Sequence, residues 1–145
     1  MTHETETGWR KTIIGLLREA FVTARTCRER GTWPAGFRSN MPAYIHEYFE
    51  AYGLERAQVG TLPPSAQALD RLDAVCAAMA HRTLNDYERE LLWLRAGKVH
   101  WKDIVKRRYI PERTLKRHYG DALVAFAARY VAMERERLAR VAQMA

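Results

Sequence analysis

The chain has 145 residues, of which 48% are apolar and 28% are charged, and this composition excludes wholesale disorder because it can supply a buried core. Its formal net charge of +7 favours a polyanionic partner, either nucleic acid or an anionic membrane surface. Because no signal peptide and no apolar run of about 18 residues is visible, we expect a cytoplasmic protein without a membrane partner.

The N-terminal region, residues 1–62, is predicted to contain two helices. Apolar residues recur at helical spacing over about 9–30, and Gly31 is typical of a residue that ends a helix. A second helix is expected over about 42–52. The segment GTWPAGFRSNMP at 31–42 is predicted to be a loop that buries its two aromatic residues, and the alternative is a second contact with DNA or a partner.

The second predicted region, residues 63–145, is also helical. Asn85 can cap a helix, and Glu88 three residues later completes a capping-box pair. Four helices are predicted in this region, over about 66–80, 86–96, 100–108 and 112–140. Because no run of alternating strand pattern occurs, the sequence predicts an all-α helical bundle.

Sequence patterns of catalytic or metal sites were sought and not found. Cys27 and Cys76 have no CxxC partner and lie among apolar residues at helical spacing, so we interpret them as core thiols. The five histidines have neither the i, i+4 spacing nor the cysteine companions of a zinc site. We therefore expect a protein that is not an enzyme, with no catalytic residue, no metal and no cofactor.

A helix-turn-helix is predicted over about 100–119. In the sequence HWKDIVKRRYIPERTLKRHYGDAL, the first helix would turn Trp101, Ile104 and Val105 inward, and Ile110 would fill the corner between the helices. The second helix would be anchored by apolar residues at helical spacing, namely Leu115, Tyr119, Ala122 and Leu123. Together with the preceding helix these elements would form a tri-helical DNA-binding module.

The outward face of this module carries the positive charge of the chain. Residues 98–118 hold eight Lys or Arg against two acidic residues, whereas residues 1–97 are neutral overall. On the second helix, a major groove would be read by Arg113, Lys116 and Arg117. Contacts with phosphates are predicted for Lys102, Lys106, Arg107, Thr114 and His118.

Residues 84–123 resemble the DNA-binding part of sigma factor region 4 and its LuxR-type relatives. The segment LLWLRAGKVHWKDIV, then Ile110 and PERTLK at 111–116, occupies the positions of that motif without a gap. The whole chain also resembles a family of small helix-turn-helix proteins of undefined role in phages and proteobacteria, through WPAGFRSNMP, AYG at 51–53 and LPPSAQALDRLD. Both resemblances imply DNA binding.

Two positions depart from the sigma-like pattern. Tyr109 stands where the turn usually has glycine, so a left-handed backbone there would be strained and the turn geometry could differ. Pro111 replaces the usual capping serine and is suited to the first position of a helix.

The sequence therefore predicts sequence-specific binding of double-stranded DNA by a transcription regulator of phage, prophage or bacterial type. Two alternatives remain open, a small-terminase-like DNA-packaging accessory protein and a sigma-like module that binds RNA polymerase. An ordinary helical hairpin with a solvated basic face is the structural alternative. The apolar residues of 121–145 are expected to pack on the N-terminal region, and they also allow a homo-oligomer.

Overall fold

The computed structural model describes residues 3–30 and 64–144, with side chains given for 8–27 and 64–144. The predicted helix at 42–52 and the predicted loop at 31–42 lie outside the described residues. The described part is helical without a strand, which confirms the predicted all-α class. Its helices are α1 (His3–Arg30), α2 (Ala66–Met79), α3 (Asp86–Ala96), α4 (Trp101–Arg108) and α5 (Glu112–Met144).

Local signals in the sequence set most of these helix ends. The Ser65 hydroxyl accepts a hydrogen bond from the Ala68 amide at 3.1 Å and caps α2. The Asn85 side chain accepts from the Glu88 amide at 2.8 Å, and the predicted capping box of α3 is present. The start of α1 was predicted about six residues too late, because the polar residues before Trp9 carry no apolar periodicity although most of them are compatible with a helix.

The main core lies between α1, α2, α3 and α5. Its largest side chains are almost completely buried, and they include Leu17, Leu72, Trp93 and Phe126. Cys27 and Cys76 are buried free thiols, as predicted, and burial, with a smaller contribution from Asp73, raises the pKa of Cys76 to about 12. The N-terminal helix therefore shares one core with helices of the second predicted region.

A second, smaller core joins α3, α4 and the start of α5. Its buried members are Leu91, Leu94, Val99, Ile104 and Leu115. Leu92 and Trp93, adjacent to Leu91 on α3, belong to the main core instead. Because the four consecutive residues 91–94 are all apolar and buried, the second half of α3 lies between the two cores and contributes to both.

The close approach of α3 to α1 depends on a glycine. A Cβ atom added to Gly97 would lie 2.7 Å from the Phe21 ring, so a larger residue would push the end of α3 away from α1. Within the ranges 3–30 and 64–144, no helix has both the length and the apolar content needed to cross a bilayer.

Candidate nucleic-acid interface

The residues predicted to form a helix-turn-helix lie on α4, at 109–111 and in the first turns of α5. Tyr109 ends α4 with φ 56° and ψ 32°, and its amide donates to the Val105 carbonyl at 2.8 Å. Tyrosine therefore adopts the left-handed conformation that glycine usually supplies, at a cost of about 1–2 kcal/mol. Its side chain is 91% exposed, so no packing of the ring offsets that cost within the described chain.

α5 begins at Glu112, as predicted, but Pro111 is its N-cap and not its first helical residue. The Leu115 amide donates to the Pro111 carbonyl at 3.0 Å, which places Pro111 at the N-cap, one residue before the first helical position. Proline has no hydroxyl for the cap, but its fixed φ is compatible with the chain leaving the turn and entering the helix.

The smaller core fixes the direction of α5. Ile104 and Leu115 are fully buried against each other's helices, and Ile110 packs at the edge of the same cluster, as predicted for the corner residue. Trp101 is only half-buried. Its ring meets the Tyr119 ring edge-to-face at 5.6 Å, and the Arg95 guanidinium lies 4.5 Å from its centroid.

Arg113 and Arg117 are the exposed cations at the start of α5. They are four residues apart on one helix and so project from the same face. Neither forms a hydrogen bond or an ion pair with the described part of the chain. Lys116 is also exposed, but its ammonium lies 2.9 Å from the Glu112 carboxylate and 5.9 Å from the Trp101 ring centroid. The two arginines are therefore free to form new bonds, and Lys116 has to leave Glu112 first.

The predicted phosphate contacts fall into two groups. Lys102 and Lys106 lie one turn apart on the exposed face of α4 and have no partner among the described residues. Arg107 lies 3.8 Å from the Glu90 carboxylate, and the His118 Nδ1 lies 2.9 Å from the Tyr87 hydroxyl. Thr114 is half-buried. The two lysines are thus the most available for a ligand.

A family described as a domain of unknown function, DUF6362, matches residues 27–126. The chain belongs to the DUF6362 family. No curated protein and no solved structure gives a significant match to it.

The matched region of this DUF6362 protein contains α2, α3 and α4 completely and ends within α5. It therefore includes the turn at Tyr109 and both exposed arginines, Arg113 and Arg117. Most of α1 and the part of α5 beyond Phe126 lie outside the match.

A buried acid that was not predicted from the sequence holds the end of α4. Glu90 is only 5% exposed, and its carboxylate forms ion pairs with Arg107 and Arg108. Two guanidinium groups next to one buried carboxylate compensate for its removal from water. Because the arginines follow the glutamate by 17 and 18 residues, no local pattern in the sequence indicates this pairing.

A hydrogen bond between side chains ties α5 to α3. The Tyr87 hydroxyl and His118 Nδ1 are 2.9 Å apart, and the two rings meet edge-to-face at 5.5 Å. Burial raises the pKa of the Tyr87 hydroxyl, so the group stays protonated at neutral pH. His118 therefore positions α5 on the body of the protein in addition to any contact with a ligand.

One further cation near the basic face comes from α1. A Cβ atom added to Gly120 would lie 3.2 Å from the Arg10 guanidinium, which places this arginine beside the third turn of α5. No local pattern in the sequence indicates this approach, because Arg10 and Gly120 are brought together only by the packing of α1 on α5. Within the described part of the chain, no group of three His, Cys, Asp or Glu side chains is arranged to hold a metal ion.

Proposed function

We propose that this protein binds double-stranded DNA in a sequence-specific manner, with the first two turns of α5 in the major groove. The observation that carries the proposal is the pair Arg113 and Arg117, exposed on one helix face without a partner in the described chain. A guanidinium can donate two hydrogen bonds to the O6 and N7 atoms of guanine, so each arginine is suited to read one base pair.

The surroundings of the two arginines support a duplex as the ligand. Lys102 and Lys106 on α4 can contact phosphates beside the groove, and they would position α5 without reading the sequence. Residues 98–118 carry a net charge of +6, which attracts a polyanion before any specific contact forms. The rigid anchoring of α5 through Leu115 keeps the reading face in place.

The biological role that we propose is transcription regulation in the cytoplasm of a bacterial or phage-infected cell. It is supported by the resemblance of residues 84–123 to sigma factor region 4 and LuxR-type modules. The proposal needs neither a catalytic residue nor a cofactor. DNA packaging would give the same duplex binding, and docking on RNA polymerase would give none, so binding measurements and the identity of the bound sites separate these roles.

The experiment is a selection of bound duplexes from fragmented genomic DNA, followed by titration of the best duplex at several salt concentrations. We expect Arg117→Ala to weaken binding of the selected duplex by about 1–3 kcal/mol and to relax the choice of one base pair. Lys106→Ala should weaken selected and random duplexes alike, and it should reduce the magnitude of the salt slope by about one.

Arg140→Ala is the matched control, because it removes one exposed arginine from the same helix more than five turns away. We expect it to leave binding almost unchanged. If it weakens binding as much as Arg117→Ala, the interaction reflects net charge rather than base reading. If the wild-type protein binds no duplex at low salt, the proposal is wrong.

A further inference from the structure

Gly120 leaves a place on the exposed face of α5 that an arginine of α1 occupies. Arg113, Arg117 and Gly120 lie on one face of α5, because they are separated by four and three residues. A Cβ atom added to Gly120 would lie 3.2 Å from the Arg10 guanidinium. This cation of α1 therefore lies where the side chain that follows Arg117 on the reading face would begin.

Arg10 has no acidic partner in the described part of the chain. It forms neither an ion pair nor a hydrogen bond there, and its guanidinium carbon lies 5.9 Å from the ring centroid of the adjacent Trp9. Arg18 lies two turns further along α1, is also exposed, and has no such partner among the described residues. Both cations of α1 are therefore available to an external anion.

The hydroxyl of Tyr119 lies near these arginines. The Tyr119 ring meets the Trp101 ring edge-to-face at 5.6 Å, and the Arg95 guanidinium lies 4.5 Å from the centroid of the same Trp101 ring. Burial raises the pKa of the Tyr119 hydroxyl, and the nearby charges of Arg95, Arg18 and Arg10 lower it by smaller amounts. The hydroxyl is therefore protonated at neutral pH, and it donates to no group in the described chain.

These groups have the chemistry of a phosphate site. We call Arg10, Arg18 and the Tyr119 hydroxyl the α1 cluster. A phosphate diester carries one negative charge, and its free oxygens accept hydrogen bonds from arginine and hydroxyl groups. The Lys116 ammonium, 5.9 Å from the Trp101 ring centroid, shows that the cluster borders the reading face. A phosphate next to that face is therefore the anion that the cluster fits best.

We propose that Arg10 and the Tyr119 hydroxyl bind one backbone phosphate of the duplex, with Arg18 adding a second positive charge. This inference rests on the proposed function, because it takes the duplex to lie on the reading face. The phosphate contacts predicted from the sequence all lie on α4 and α5. The proposal therefore adds α1, from the N-terminal region, to the DNA-binding surface.

The dimensions of DNA agree with this contact. The major groove is about 12 Å wide, which is close to the diameter of a helix with its side chains. Groups beside an inserted helix therefore meet the phosphates that line the groove. Gly120 is only three residues beyond Arg117, or about 4.5 Å along the axis of α5, so Arg10 lies close to the base-reading side chains.

The first experiment compares binding of the selected duplex and of a random duplex over a range of salt concentrations. We expect Arg10→Ala to weaken both by about tenfold and to reduce the magnitude of the salt slope by about one. Lys11→Ala is the matched control, because it removes the same charge from the next exposed position of α1, about 100° around the helix. We expect this control to bind both duplexes almost like the wild type.

The hydroxyl is tested by Tyr119→Phe, which keeps the ring against Trp101. We expect binding of both duplexes to weaken by about three- to tenfold, and thermal unfolding to change little because the hydroxyl has no partner in the described chain. The double variant with Arg10→Ala should lose less than the product of the two single losses, because both groups bind the same phosphate. Losses that multiply would overturn the shared phosphate.

A neutral methylphosphonate, placed at one position at a time along the selected duplex, locates the contact. At one position we expect it to weaken the wild type and to leave the Arg10→Ala variant no weaker. If no position does so, or if Arg10→Ala binds DNA like the wild type, this inference is wrong although the proposed function stands. A wild type that binds no duplex at low salt overturns both. Binding to phosphatidylglycerol vesicles that Arg10→Ala abolishes, with DNA binding unchanged, would assign the cluster to a membrane surface instead.

Discussion

The two ends of α5 are held differently. At the first turns, Leu115 is buried between α3 and α4, and the outward side chains are Arg113 and Arg117. At the last turns, Leu138 and its neighbours are exposed, and apolar side chains lie on the surface among charged ones. The two ends of this continuous helix therefore differ both in the charge that they expose and in how firmly they are anchored to the body of the protein.

The largest expected effect is the loss of the anchor. Leu115→Ala should lower the free energy of unfolding by about 2–5 kcal/mol, because it opens a cavity in the smaller core. Leu138→Ala makes the same chemical change at the exposed end, and it should cost less than about 0.5 kcal/mol in the single chain. Urea denaturation measures both losses. Similar losses for the two leucines would contradict the difference that we describe.

The second largest expected effect concerns Glu90, the buried acid on α3. Glu90→Gln should lower the free energy of unfolding by about 1–3 kcal/mol, because it removes the buried negative charge that pairs with Arg107 and Arg108. Glu136→Gln is the matched control at the exposed end of α5, where its ion pair with Arg129 spans 4.0 Å. A surface pair of this kind contributes at most about 1 kcal/mol, so we expect little change. Equal effects of the two variants would show that Glu90 is not an anchor.

The smallest expected effect is an increase in stability from a substitution at Tyr109, in the turn between α4 and α5. Tyr109→Gly should raise the free energy of unfolding by about 0.5–1 kcal/mol, because glycine adopts the left-handed conformation without the steric cost of a Cβ atom. Tyr109→Ala keeps the Cβ atom and should give no gain. Thermal unfolding distinguishes the two variants. A gain from alanine as large as that from glycine would mean that the aromatic ring, and not the backbone, carries the cost.

Much of the fold could be predicted from local signals. The capping box at Asn85 located the start of α3, and the apolar spacing around Ile104 and Leu115 predicted the inward faces of α4 and α5. Capping and apolar periodicity involve residues only a few positions apart, so both can be recognised in the sequence without knowledge of the tertiary contacts.

The exposed arginines of the candidate site were predicted from the sequence, but the contacts that its side chains form with distant residues of the chain were not. The exposure of Arg113 and Arg117 follows from their positions opposite Leu115 on the helix. By contrast, the ion pair of Arg107 with Glu90 and the approach of Arg10 to Gly120 depend on contacts between distant parts of the chain. Sequence spacing alone predicted a phosphate contact for Arg107 and did not indicate the carboxylate of Glu90 as its partner.

The position of α3 between the two cores limits how this protein can be divided in engineering work. A fragment of residues 84–126 grafted onto another scaffold would keep the cluster around Leu91 and Leu94, but it would expose Leu92 and the large indole of Trp93, which are now covered. Such a transplant would be prone to aggregate unless α1 and α2 travel with it. The region of α4 and the start of α5 therefore depends on the rest of the bundle for the burial of its neighbouring helix.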